Sequence, residues 1–151
     1  MYKEGHAGIS LLLFSPFIML FNFLGVDISY VLLTGILMVG MSSIPDLDIK
    51  WEIKHRGITH TLIFGIGVGI LFGAVFGYAM GLLGFLLGFI SGFGSTASHL
   101  LGDVLTYSRF KPFYPFSQRE FACGICNSGN KTANQSLLFF GVVLFVLSLM
   151  I

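Results

Sequence analysis

Four histidines and three aspartates carry most of the chemistry open to this chain: His6, His55, His60, His99, Asp46, Asp48 and Asp103. In Ser98-His99-Leu100-Leu101-Gly102-Asp103 the imidazole and the carboxylate are four positions apart, so a helix puts both on one face, where a single ion takes both. Asp46 and Asp48 follow Pro45, which disfavours helical geometry at Ile44. They therefore fall in a turn, which is able to converge side chains that a regular helix points apart. The block His55-Arg56-Gly57-Ile58-Thr59-His60 bends at its glycine between two further imidazoles, and His6 leads into the first apolar run. Imidazole and carboxylate together suit Zn²⁺, with Mn²⁺ or Fe²⁺ as alternatives. Seven donors exceed the need of one tetrahedral ion and suit two ions ~3.5–4 Å apart.

Such a pair of ions lowers the pKa of a bound water toward neutrality and holds phosphoryl oxygens during in-line attack. Asp46, His60 and Asp103 are the residues expected to act most directly in that chemistry. Arg56, and more remotely Arg109 and Lys111, are placed to pair with non-bridging oxygens of a substrate.

The elements that must position these groups are membrane helices. Across 151 residues, 55% are hydrophobic and only 10% are charged, and the mean hydropathy is +0.90. That composition excludes an ordinary soluble domain and predicts one integral membrane domain over 1–151. The formal charge of +1, with no long basic run, argues against nucleic acid as a partner. The pattern predicts an all-α, polytopic protein with about five transmembrane helices, at 7–25, 28–44, 61–80, 81–101 and 136–151. No small-x-small cleavage site follows the first run, so it reads as a retained helix, with His6 retained too.

Helices three and four are separated only by residues 79–81 and must form an antiparallel hairpin. Gly65, Gly69, Gly73, Gly77 and Gly81 recur every four residues in one arm, and Gly84, Gly88 and Gly92 in the other. Small residues of this kind let backbones approach in lipid, where the hydrophobic effect does not drive helices together. Threading the five helices alternately puts all seven His and Asp candidates, and every Lys and Arg, on the face of the N-terminus. The positive-inside rule makes that face cytoplasmic; the expected location is integral to the cell (inner) membrane, with the N-terminus cytoplasmic. An interfacial loop is expected at 106–135, where Phe110, Phe113, Tyr114, Phe116 and Phe121 interleave with Arg109, Lys111 and Arg119.

The combination Gly5-His6, Pro45-Asp46-Leu47-Asp48, His55 to His60, and His99 through Asp103 to Thr106, followed by Pro115-Phe116, resembles the YdjM-like family of membrane-bound metal-dependent hydrolases. The resemblance extends from residue 5 to about 135. It implies a hydrolase distantly similar to the zinc-dependent phospholipase C and P1-nuclease group, acting on a phosphoester such as a membrane phospholipid or a lipid-linked phosphate. Where relatives carry a Glu near the start of the last helix, this sequence has Asn134, a departure that bears on metal occupancy and catalytic competence.

Two other function classes use the same residues. A metal-ion transporter or sensor would bind the ion as cargo or signal, although rim ligands and five helices lack the midplane site and paired repeats usual for transport. A catalytically silent scaffold would keep only the fold. Cys123-Gly124-Ile125-Cys126 supplies two thiols, too few for a structural zinc knuckle. Ser98 beside His99 lacks a triad-like arrangement, so an intramembrane serine protease is disfavoured.

Overall fold

The computed structural model describes residues 1–50 and 56–150. Helix α1 spans Lys3–Phe23, α2 Ile28–Met41, the single-turn α3 Leu47–Lys50, α4 Leu62–Val104 and α5 Lys131–Ser148; a 3₁₀ turn, Ile58–His60, precedes α4. Among the described residues there is no β-strand, only two isolated bridge pairs, Thr106 with Cys126 and Phe110 with Phe121. The all-α expectation holds.

The count of five spanning helices does not. Among the described residues, three helices are long and apolar enough to cross a membrane: α1, α4 and α5. At 14 residues and ~1.5 Å per residue, α2 reaches only about two thirds of a ~30 Å hydrocarbon core. It ends early because Ser42 and the turns leading to Pro45 close it at Met41. The two helices expected at 61–80 and 81–101 are the two arms of α4, 43 residues in all, which meet at Gly81, where φ is 65° and ψ is −149°.

That element turns back on itself there. A Cβ on Gly88 would lie 2.5 Å from the Phe72 carbonyl oxygen, and one on Gly92 would lie 2.7 Å from that of Val68. In an unbroken helix residues 68 and 92 would be ~36 Å apart, so the two arms run side by side, as the glycine stripes predict. Gly81 is the residue that permits the reversal, since other residues rarely adopt its positive φ.

The remaining helices assemble around the second arm of α4. Phe14, Ile18 and Phe21 of α1, Val31 and Met38 of α2, and Leu87 of α4 form the buried apolar core. Gly35 leaves room for the Phe14 ring. α5 packs chiefly on α1, where the backbones cross at Gly8 and Gly141: a Cβ on Gly141 would sit 2.5 Å from the Gly8 carbonyl oxygen. Large apolar side chains such as Phe23, Tyr78, Leu82, Phe139 and Phe140 point outward, the pattern of a lipid-facing surface.

Both chain reversals distant from the His/Asp cluster use glycine. After α1, the Val26 amide donates to Phe21 and the Gly25 amide to Asn22, with Gly25 at φ 69°. This satisfies the last carbonyls of α1 before Asp27 caps α2 through the Ser29 amide. At the other end, α1 starts four residues earlier than predicted, so His6 lies inside its first turns. α5 also starts earlier, at Lys131, capped by the Asn130 side chain, which shortens the interfacial loop expected to run to 135.

The hairpin makes a paired test. Gly88→Ala forces its methyl into the Phe72 backbone and should cost about 1–3 kcal/mol, the usual range for overpacking. Gly67→Ala meets nothing within 4 Å and should be neutral or mildly stabilising. Thermal unfolding in mild detergent, followed by circular dichroism, compares the two; equal losses would show that the arms are not packed through Gly88.

Candidate metal centre

His99 sits near the end of α4, fully buried, with Nδ1 2.7 Å from the Ser42 carbonyl oxygen. A carbonyl only accepts, so Nδ1 carries the proton and Nε2 presents a lone pair. His60 is fixed in the same way. The Thr59 hydroxyl donates to Asp48 Oδ2 at 2.8 Å, so its oxygen accepts from His60 Nδ1 at 3.0 Å, and Asp48 Oδ2 stands 3.4 Å from the same nitrogen. His60 Nε2 therefore also presents a lone pair.

These two nitrogens face each other at 3.3 Å. Asp46 Oδ1 lies 3.6 Å from His60 Nε2 and 3.4 Å from His99 Nε2; Asp103 Oδ2 lies 3.5 and 3.8 Å from the same atoms. Four possible ligand atoms thus converge in a largely buried place, a group able to hold a metal ion. Tetrahedral zinc with bonds of ~2.0–2.1 Å places its ligands about 3.4 Å apart. The five separations above fall between 3.3 and 3.8 Å, which fits an ion of that size.

Each donor is delivered by a different local rule. His99 and Asp103 share a face of α4, as their spacing requires. Asp46 lies in the turns between α2 and α3, where its amide donates to the Ser43 carbonyl. Asp48, two residues on, accepts from Thr59 and from the Arg56 amide and lies 3.4 Å from His60 Nδ1, so it helps to orient His60.

His6 comes in from α1, buried, its ring stacked on His99 at 3.9 Å and 9°. Neither of its ring nitrogens has a hydrogen-bond partner among the described residues, and Nε2 is 3.9 Å from Asp103 Oδ1. Two ligand triads follow from the geometry, His6 with Asp46 and His99, and His60 with His99 and Asp103. Both use His99. Its one free nitrogen binds one ion, so the two triads cannot each hold an ion through it.

Asp103 Oδ1 carries two cations, the Met1 amino group at 3.1 Å and Arg56 Nη2 at 3.2 Å. Arg56, at φ 61°, also donates to the Ser108 carbonyl, which ties the loop after α4 to the cluster. Of the other expected substrate contacts, Arg109 is exposed and Lys111 Nζ donates to Gln118 at 3.0 Å. His55 lies outside the described residues.

Several contributors carried no signal of their own type. The Ser42 carbonyl orients His99 from a helix end; Phe110 packs its buried ring edge-on against His60 at 6.3 Å; Gly102 leaves space for His6, whose Nδ1 would be 2.8 Å from an added Cβ. Only Gly102, one turn from His99 on the same face, was open to detection from spacing. Asn134 accepts from the Tyr2 amide and donates to the Ser128 and Asn130 carbonyls. A Glu there has no N–H for the two donations. Ser98 bonds Ser10 at 2.7 Å and the Ser95 carbonyl, away from any nucleophilic arrangement.

A helical membrane bundle with a buried His/Asp cluster at one end defines a polytopic membrane protein with a candidate metal centre. The family described as YdjM inner membrane protein matches residues 1–151, and the chain belongs to it. Comparison with curated proteins and with solved structures returned no match.

Thr59→Val removes the acceptor that fixes His60 and the donor that holds Asp48. Loss of such outer partners costs about 10–100-fold in metal affinity. Competition with a chromophoric chelator in detergent should show that loss with helix content unchanged; unaltered affinity would remove His60 from the ligands.

Proposed function

We propose that this protein is a membrane-embedded, metal-dependent hydrolase acting on a phosphoester, a phospholipid or a lipid-linked phosphate, at the cytoplasmic face. The supporting observation is the convergence of His60 Nε2, His99 Nε2, Asp46 and Asp103 at separations of 3.3 to 3.8 Å. A bound divalent cation, zinc with manganese or iron as alternatives, supplies Lewis acidity that acidifies a water and offsets charge on phosphoryl oxygens.

The chain's own groups divide the remaining work. Asp46, His60, His99 and Asp103 hold the first ion. His6 holds its unpartnered Nε2 3.9 Å from Asp103 Oδ1, where a second ion would take the place of the Met1 amine and Arg56. Arg56, released from Asp103, pairs with the substrate's non-bridging oxygens. Asp46 is the ligand that reaches the surface, its side chain 30% exposed, and so marks where substrate enters. Asp48 and Thr59 keep His60 in register, and Arg109 and Lys111 contact the headgroup beyond the ion.

One observation favours the second reading, ion transport. Buried hydroxyls of Ser10, Ser98, Ser95, Ser91 and Thr34 continue from the centre into the bundle. A silent scaffold is less favoured, because the hydrogen bonds of Asn134 give it a structural use that needs no lost catalytic group.

Elemental mass spectrometry of purified wild type should find about two equivalents of metal, and close to none in the Asp46→Ala, His99→Ala double variant. No metal in wild type after reconstitution with zinc and manganese would sink the hydrolase reading. Arg56→Gln should retain metal yet lower phosphoester turnover about 10²-fold or more in a phospholipid screen, as loss of a charge-stabilising donor does. Metal-loaded protein that carries ions across proteoliposomes without hydrolysis would instead establish transport.

A further inference from the structure

The loop between α4 and α5 exposes aromatic rings beside basic side chains, an arrangement that the metal centre does not require. Phe116 is 86% exposed and Tyr107 60%, with Phe113 and Tyr114 also open; Arg109 and Arg119 are exposed among them, and Lys111 is half-buried. Glu120 is the loop's single acidic residue between Leu105 and Asn130.

The loop is not a loose tether. Leu62 donates its amide to the Pro112 carbonyl at 2.8 Å, and Phe110 and Phe121 exchange backbone hydrogen bonds. The buried Phe110 ring lies against His60; Phe113 packs edge-on to Phe121 at 5.4 Å; and Arg119 lies over the Phe121 ring at 5.4 Å. The outward rings are thus presented by a platform pinned to the metal-centre end of the bundle.

Its level relative to the membrane follows from its neighbours. The loop begins where α4 ends and finishes where α5 begins, and both helices are long and apolar enough to span. It therefore lies in the headgroup layer of one leaflet, where aromatic rings are favoured and basic side chains meet lipid phosphates.

We propose that this loop is an anionic-lipid binding surface, in which Phe113, Tyr114 and Phe116 insert at headgroup depth while Arg109, Lys111 and Arg119 gather negatively charged phospholipids beside the centre. An aqueous acidic partner would satisfy the cations but leave Phe116 in water. Lipid satisfies both. The proposal shares Arg109 and Lys111 with the hydrolase reading but requires neither a bound metal nor turnover.

Full-length protein carrying Trp51→Phe and Phe116→Trp has its single tryptophan at the loop tip. It is reconstituted in phosphatidylcholine vesicles holding a small fraction of either brominated phosphatidylglycerol or brominated phosphatidylcholine. Tryptophan quenching by the brominated anionic lipid should exceed that by the zwitterionic one at least about twofold, and the excess should fade in high salt. It should also vanish in the added Arg109→Gln, Lys111→Gln, Arg119→Gln variant, with thermal unfolding as the check on its fold. Absence of quenching by either lipid puts the loop in water and overturns the proposal, as does equal quenching by both in the parent. Should the triple variant not fold, the salt series on the parent decides, and an excess indifferent to salt counts against the basic side chains.

Discussion

Two imidazole Nε2 atoms, 3.3 Å apart in a buried place between two carboxylates, are the constraint around which the structure is arranged. Carboxylates and imidazoles crowded this closely are costly to bury. The arrangement persists because each ring is held from behind, His99 by the end of α2 and His60 by Thr59 and Asp48. The fixed hydrogen bonds fall on the outer nitrogens, and the inner ones stand where an ion could be held. That division of labour separates a built centre from a chance meeting of polar residues at helix ends.

The glycines serve the same end by a different route. Close backbone approach at Gly84, Gly88 and Gly92 sets the second arm of α4 firmly against the first, and Gly102 lets His6 approach the same arm. α1 reaches its place through α5, where Gly8 and Gly141 remove the side chains that would separate the helices. His6 is therefore positioned by a helix that contributes no ligand.

Much of this was readable in the residues. The spacing of His99 and Asp103, the glycine repeats and the reversal near Gly81 obey short-range helical rules, and the structure follows them. Asp46 and Asp48 looked equivalent, yet Asp46 meets the Nε2 side of His60 and Asp48 its Nδ1 side, because turn geometry and not spacing decides where each points. The helix count failed for a similar reason: hydropathy registers apolar length, but α2 ends where Ser42 turns its carbonyl toward His99. Orientation by a backbone carbonyl has no residue-type signature, and neither does the reach of Asn134 across to Tyr2. Both are products of tertiary contact.

The stitching of the bundle is uneven along the membrane normal. At the metal-centre end, Asn134 grips the Tyr2 amide, Pro112 receives Leu62, and Arg56 bridges Asp103 to Ser108. At the other end the chain merely turns, at Gly25 and at Gly81, and neither glycine has a neighbour within 4 Å of where a Cβ would stand. A bilayer that thins or thickens is thus accommodated at the glycine end, by tilt and by adjustment of two bare turns. The ligand geometry is insulated from membrane thickness, so one chain keeps the same centre in bilayers of differing lipid composition.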